Sequence, residues 1–261
     1  VALVEIETNQ LRDNHYILSI FLNNPSSRNA MTWEMGIEFR KIVMEHYQDP
    51  NLRGVILSGR NGVFSAGGDL DLLKSFSKKT IQENEIGMKE FYGMFLSIRK
   101  FSCPVIGAIN GHAIGAGFSL ALATDIRFVS HSGKYSFNFV KLGIHPGMGS
   151  SYIAPKLVGN SLAQDLLIGA RMLSGKEMEE LHLCRKSCPT DEIESNAWEL
   201  AKELAESGPT ATKLLKETLY DEEELDLALK REASAQAINF TSEEFQETIR
   251  SIEEKRPPRF S

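Results

Sequence analysis

The sequence predicts an α/β fold, and three observations carry that prediction. Short apolar runs recur along the first half of the chain, at Tyr16–Leu22, Val55–Leu57, Val105–Ile109 and Ile126–Val129. Stretches with helical spacing separate them. Two of the runs end in glycine-rich turns that lead directly into a helical pattern.

The elements follow in chain order. Tyr16–Leu22 is rich in β-branched and aromatic residues and reads as a strand. Met35, Ile37, Phe39, Ile42 and Val43 form one apolar helix face. Val55-Ile56-Leu57 and Val105–Ile109 are short uninterrupted runs that read as buried strands, and Ile126–Val129, with Arg127 inside it, reads as a third. Beyond residue 190 the character changes. Asp191–Ser261 holds 18 acidic and 9 basic residues, whereas the first 190 residues hold 17 and 20. In this tail Trp198, Leu200, Ala201 and Leu204, then Ala211, Leu214, Leu215 and Leu219, keep helical spacing. Pro209 suits a helix start. The acidic run Asp221–Glu224 suits a helix N-terminus, where the macrodipole favours negative charge. The expected division is a core at 1–195 and a helical region at 196–261, whose leucines bury against the core or another subunit.

A net charge of −6 argues against binding a phosphate backbone, so no nucleic-acid partner is expected. The longest apolar stretch, Val105–Ala123, is interrupted by Asn110, His112 and glycines, so no membrane span is expected. Val1–Glu7 has neither a basic n-region nor an apolar h-region. The expected compartment is the cytoplasm, with a removed organellar transit peptide left open. Three cysteines, Cys103, Cys184 and Cys188, do not make a disulfide framework. Cys184 and Cys188 lie near His182, but no second ligand pair follows at zinc spacing, so no metal is expected.

The two glycine turns carry the functional information. The first is Phe64–Leu70 (FSAGGDL) and the second is Asn110–Ser119 (NGHAIGAGFS). Glycine lets backbone approach a ligand closely and leaves N–H groups free at a helix start. Two such turns can aim two amides at one oxygen, which is an oxyanion hole. A phosphate loop is excluded, because neither turn has the Lys-Ser/Thr pair, and neither fits the dinucleotide fingerprint. Gly117–Ala121 approaches a nucleophile elbow but ends in Ala, with no acid-then-histidine order downstream. Spacing alone leaves a second reading open, in which the glycines serve close helix–strand packing.

At this point the chain resembles the enoyl-CoA hydratase/isomerase family, the crotonase superfamily. The resemblance rests on Asn24-Pro25 with Arg28-Asn29-Ala30-Met31, on Phe64–Leu70, on Pro104–Asp125, on Leu142–Gly149, and on the ending Lys255–Phe260. It implies a crotonase-like spiral of ββα repeats with a C-terminal helical oligomerisation region. The implied assembly is a homotrimer or a dimer of trimers. The implied ligand is an acyl-CoA or acyl-carrier thioester, with coenzyme A entering as part of the substrate and no separate cofactor. By position, the oxyanion donors are the backbone amides of Gly68 and Ala116. Arg28, Ala30, Ala66, Asp69 and Leu70 fall on the coenzyme A side of the substrate. Gly117, Ser119 and Phe139 fall on the acyl side.

The resemblance also exposes what is missing. Hydration needs a base to deprotonate water and an acid to protonate the α-carbon. The two glutamates that hydratases use fall at Ser119 and Phe139 here, and a third acidic position, used by some isomerases and dehalogenases, falls at Gly147. Ordinary hydratase chemistry is therefore not expected. Decarboxylation of a malonyl- or glutaconyl-type thioester needs charge stabilisation on the thioester oxygen and no glutamate base. His145, in the loop after Gly143, is the candidate to orient a carboxylate or donate a proton. His112 reads as a turn residue. Ser119 and Asn138 are candidates to hold water, and Asp69 reads as a helix cap. A non-catalytic thioester binder is the alternative from another class.

Overall fold

The computed structural model describes residues 2–260. Nine strands, β1 (Val4–Gln10), β2 (Tyr16–Leu22), β3 (Leu52–Gly59), β4 (Val105–Ile109), β5 (Ala113–Ile114), β6 (Ile126–Ser130), β7 (Lys134–Ser136), β8 (Leu173–Ser174) and β9 (Lys186–Cys188), build two sheets. The larger sheet has the order β1-β2-β3-β4-β6-β9, and β5-β7-β8 form the smaller one. Only the β1–β2 pair of the larger sheet is antiparallel. The helices are α1 (Trp33–His46), α2 (Leu70–Phe76), α3 (Ile81–Leu96), α4 (Ala116–Leu122), α5 (Ser150–Gly169), α6 (Gly175–Glu180), α7 (Ile193–Ala205), α8 (Pro209–Leu219), α9 (Glu222–Phe240) and α10 (Glu243–Glu253).

The repeat unit is legible in this order. β4, β5 and α4 form one strand–strand–helix unit, and β6, β7 and α5 form the next. In each unit the first strand joins the larger sheet and the second joins the smaller one. The chain thus winds as a spiral of ββα turns, and consecutive units lay their strand-to-helix corners beside each other.

The larger sheet is covered on both faces, which explains its apolar runs. All seven residues of β2 are buried. Ile17, Ile56, Ile106 and Phe128 pack against Ile193, Ala197, Leu200 and Ala201 of α7. The opposite face, with Leu18, Ile20, Val55 and Leu57, packs into the main core with Phe39, Phe95 and Phe118. The boundary expected at 195/196 falls inside α7, which is a layer of the core. The N-terminal polar alternation of β1 hides it from a search for continuous apolar runs; as an edge strand it leaves Glu5 and Glu7 available to the Arg60 guanidinium.

Two expected burials do not occur within one chain. Ile37 is 48% exposed on α1, whose buried face is Met35, Gly36, Phe39 and Val43. Leu214, Leu215 and Leu219 of α8 are also exposed. The helix itself begins at Pro209, and Asp221 caps α9 by accepting the Glu224 amide, as the sequence predicts. Among the described residues no helix is long and apolar enough to cross a membrane. The three cysteines are free thiols, and burial pushes Cys103 and Cys184 up to about 12.

Candidate active site

The two glycine turns lie side by side because short backbone pairings hold them there. The Ser65 amide donates to the His112 carbonyl at 3.0 Å, and the Ile114 amide donates to the Ser65 carbonyl at 3.0 Å. Gly67 has φ +95°, and a Cβ there would lie 2.6 Å from the Ile114 carbonyl oxygen, so only glycine fits. Gly117 has no room for a methyl either, since its Cβ would sit 2.6 Å from Ser65 Cβ and 2.9 Å from Ser65 O. We expect Gly117→Ala to force the turns apart and cost about 1–3 kcal/mol of stability, readable by urea unfolding.

This contact leaves two amides free. Gly68 bridges Met31, but the bridge uses the Gly67 carbonyl and the Asp69 amide. The Gly68 N–H therefore points away from the bridge. Ala116 opens α4, and the first amide of a helix has no intrahelical acceptor. Among the described residues neither amide donates to a protein group. Both residues line one cavity of about 70 Å³. Its wall is apolar: Leu72, Leu73, Phe76, Met88, Phe91 and Phe139 contribute most of it. Three side chains bring polar atoms, Tyr92, Asn138 and Gln236. No carboxylate, imidazole or ammonium group is among the lining residues. A wider groove near Phe101 and Tyr220 is not reached by either glycine turn, and its Lys216 is paired with Asp125 at 2.7 Å.

The residues expected on the coenzyme A side divide by role. Asn29 donates to the carbonyls of Arg60 and Val63 at 3.1 and 2.7 Å, and its own carbonyl accepts from Ser65 Oγ at 2.8 Å. This clamps Arg28 and Ala30 against the first turn, where the Ala66 amide donates to the Arg28 carbonyl at 3.0 Å. Arg28 is exposed with φ +57°, and Ala30 is buried. Ala66 lines the cavity, and Leu70 begins α2. Asp69 caps α2 by accepting the Asp71 and Leu72 amides at 3.0 Å each.

Phe139 lies in the cavity wall, but Ser119 does not. The Ser119 hydroxyl is buried, bonded to the Gly115 carbonyl at 3.0 Å and to Ser150 Oγ at 2.6 Å. His145 is also outside the lining residues. Its Nδ1 lies 2.6 Å from the Pro146 carbonyl oxygen, its amide donates to Asn239 Oδ1, and its carbonyl accepts from Gln236 Nε2. The structure thus joins His145 to the site through its main chain and not through its ring. His112 accepts the Lys134 amide at 3.0 Å, which is a turn role.

Sequence reasoning missed Tyr92, Gln236 and Glu232. Tyr92 stands among Met88, Phe91 and Phe95 on α3 and looks like core. Gln236 and Glu232 are the polar members of an otherwise apolar buried face of α9, one turn apart. That interruption is the signal available in the sequence. Tyr92 Oη donates to Gln236 Oε1 at 2.8 Å. Glu232 accepts the Gly149 amide, the Ser151 amide and Ser151 Oγ at 2.6–2.8 Å. Burial outweighs these bonds and pushes its carboxyl up to about 7.

The enoyl-CoA hydratase/isomerase family model matches residues 12–261. The chain belongs to that family. The bacillaene synthase decarboxylase PksI of Bacillus subtilis is 30% identical, over 97% of each chain. The mitochondrial methylglutaconyl-CoA hydratase of Mus musculus is also 30% identical, over 95% of this chain and 80% of that one. Among solved structures, a member of a dehydratase/decarboxylase enzyme couple involved in polyketide β-branching superposes with a TM-score of 0.81 at 29% identity, over 96% and 98% of the two chains.

Proposed function

We propose that this chain binds an acyl thioester, stabilises its enolate between the Gly68 and Ala116 amides, and forms that enolate by decarboxylation. The observation that carries the reading is a cavity wall with two free amides and no carboxylate. Overall identity does not choose, because a decarboxylase and a hydratase are equally similar relatives. The wall does. Hydration loses its base and its acid here, each of them worth about 10²–10⁴ in rate.

Decarboxylation asks for less. As the bond to the carboxylate breaks, its electron pair moves through the α-carbon to the thioester oxygen. Two preorganised N–H donors meet that charge where it develops. Arg28, Ala30, Ala66, Asp69 and Leu70 form the coenzyme A or carrier side in this reading. The exposed Leu214, Leu215 and Leu219 suit a subunit contact of a trimer or of a dimer of trimers.

The test is mass spectrometry of an acyl-CoA panel after incubation with the protein. The panel holds crotonyl-CoA, longer enoyl esters, and methylmalonyl-, ethylmalonyl- and 3-methylglutaconyl-CoA. Loss of CO2 from a carboxylated ester is expected. Water added to an enoyl ester, without CO2 loss from any other, overturns the reading.

A further inference from the structure

We infer that the Tyr92 hydroxyl is the proton donor to the enolate carbon, and that Gln236 is its positioning residue. The inference deepens the decarboxylation reading and rests on it. Loss of CO2 leaves an electron pair shared between the thioester oxygen and the α-carbon. A proton must reach that carbon to complete the product. Of the side chains that line the cavity, Tyr92 alone carries an ionisable proton: the other two polar ones, Asn138 and Gln236, are amides.

The place of this hydroxyl is also significant. By the family resemblance, Gly147 falls where some isomerases and dehalogenases carry an acid. A Cβ at Gly147 would lie 2.6 Å from Tyr92 Oη and 2.7 Å from Gln236 Nε2. Two helices distant in sequence thus fill the space that a side chain at 147 would enter. They fill it with a neutral hydrogen-bonded pair. Gln236 is fixed in one orientation, because Nε2 donates to the His145 carbonyl at 2.6 Å. Its Oε1 then accepts the phenol proton at 2.8 Å, and for transfer the O–H turns from Gln236 to the substrate. Both side chains are almost completely buried, at 1% and 2% exposure.

In the step itself the Tyr92 O–H bond breaks. Its proton and the enolate electron pair form the new C–H bond, while the thioester carbonyl re-forms and negative charge leaves the two amides. The phenolate that remains takes a proton from water as product leaves, and the resulting hydroxide combines with CO2 as bicarbonate. Burial, with Glu232 nearby, raises the phenol well above its ordinary value. The group is therefore protonated before each turnover, and a thioester enolate is basic enough at carbon to take its proton.

Tyr92→Phe keeps the ring and removes only the hydroxyl. The three carboxylated esters of the panel are incubated in D2O with wild type, Tyr92→Phe and Gln236→Leu. From methylmalonyl- and ethylmalonyl-CoA, whose α-carbon takes the proton, wild type is expected to place deuterium on one face of that carbon. Tyr92→Phe is expected to form product about 10²-fold more slowly or worse, with deuterium on both faces. Gln236→Leu is expected to lie between the two in rate and in facial selectivity. Equilibrium binding of isobutyryl-CoA, which has no carboxylate to lose, is expected to be unchanged in both variants. Wild-type rate and facial selectivity in Tyr92→Phe overturn the inference, as does a loss of isobutyryl-CoA binding that accounts for the whole rate effect. Absence of CO2 from wild type removes the decarboxylation reading, and the donor with it. CO2 release by wild type that is undiminished in Tyr92→Phe, with deuterium still on one face, removes the donor alone.

Discussion

Ala116→Pro is expected to reduce kcat/KM for the reaction found in the acyl-CoA panel by about 10²–10³-fold or more, while leaving the fold intact. The substitution is chosen for what it leaves alone. Ala116 is the first residue of α4, where the N–H has no intrahelical acceptor and proline is readily accommodated. The preceding residue is Gly115, at φ +54° and ψ −121°, and without a Cβ it escapes the main clash that proline imposes on its predecessor. Proline deletes the amide proton and puts its ring carbon in the same place, so the proposed oxyanion hole loses a donor and some room together. Circular dichroism and urea unfolding check that α4 survives. A folded Ala116→Pro protein with unimpaired turnover would mean that the reacting oxygen is not held at this amide. Gly117→Ala perturbs the same corner but acts through packing against Ser65, so its expected signature is lost stability along with lost activity. The contrast between the two variants separates a missing donor from a displaced turn.

Much of the candidate site was legible because the donors proposed for it are main chain. A backbone donor leaves its trace in the sequence as the residues that permit the turn. Gly67, Gly115 and Gly117 are such residues, and each has a steric reason to be glycine. Strands β2, β3, β4 and β6 were legible for a related reason, since a sheet buried on both faces demands largely apolar runs. The two- and three-residue strands β5, β7, β8 and β9 are too short to show any period. The side-chain half of the site was harder to read. His145 looked functional because an imidazole in the loop after Gly143 could orient a carboxylate or donate a proton, yet what the loop offers its neighbours is backbone. Tyr92 and Gln236 were hidden because they are 144 residues apart and each sits in a helix whose neighbours are core. Only the packing of α3 on α9 makes them a pair. The exposed leucines of α8 carry the opposite lesson: helical spacing predicts an apolar face, but not which chain covers it.

Glu232 predicts a stability that falls as pH rises. Its carboxyl goes from an ordinary value of 4.5 to about 7 on folding, because burial disfavours the charged form more than the Ser151 and Gly149 hydrogen bonds favour it. A carboxyl with a raised folded value binds its proton more tightly in the folded protein. Stability from this group is therefore fully present below about pH 4.5 and is lost as pH climbs through about 7. The loss is on the order of 3 kcal/mol, a large share of what an ordinary domain has. Other groups titrate in the same range, so the quantity to measure is the difference between wild type and Glu232→Gln in urea unfolding from pH 5 to pH 8. Wild type is expected to lose stability relative to the variant across that interval. The variant carries a constant penalty of about 1–3 kcal/mol, because its amide NH2 faces N–H groups that the carboxylate accepts. A flat difference would show that the three donors keep the carboxylate charged throughout. The site has a stake in the result. Glu232 grips Gly149 and Ser151, Gln236 lies one turn further along the same helix, and Gly147 lies between the loop and that glutamine. Glu232 thus helps hold the Gly147–Ser151 corner to α9, and the Tyr92–Gln236 pair is built against that corner.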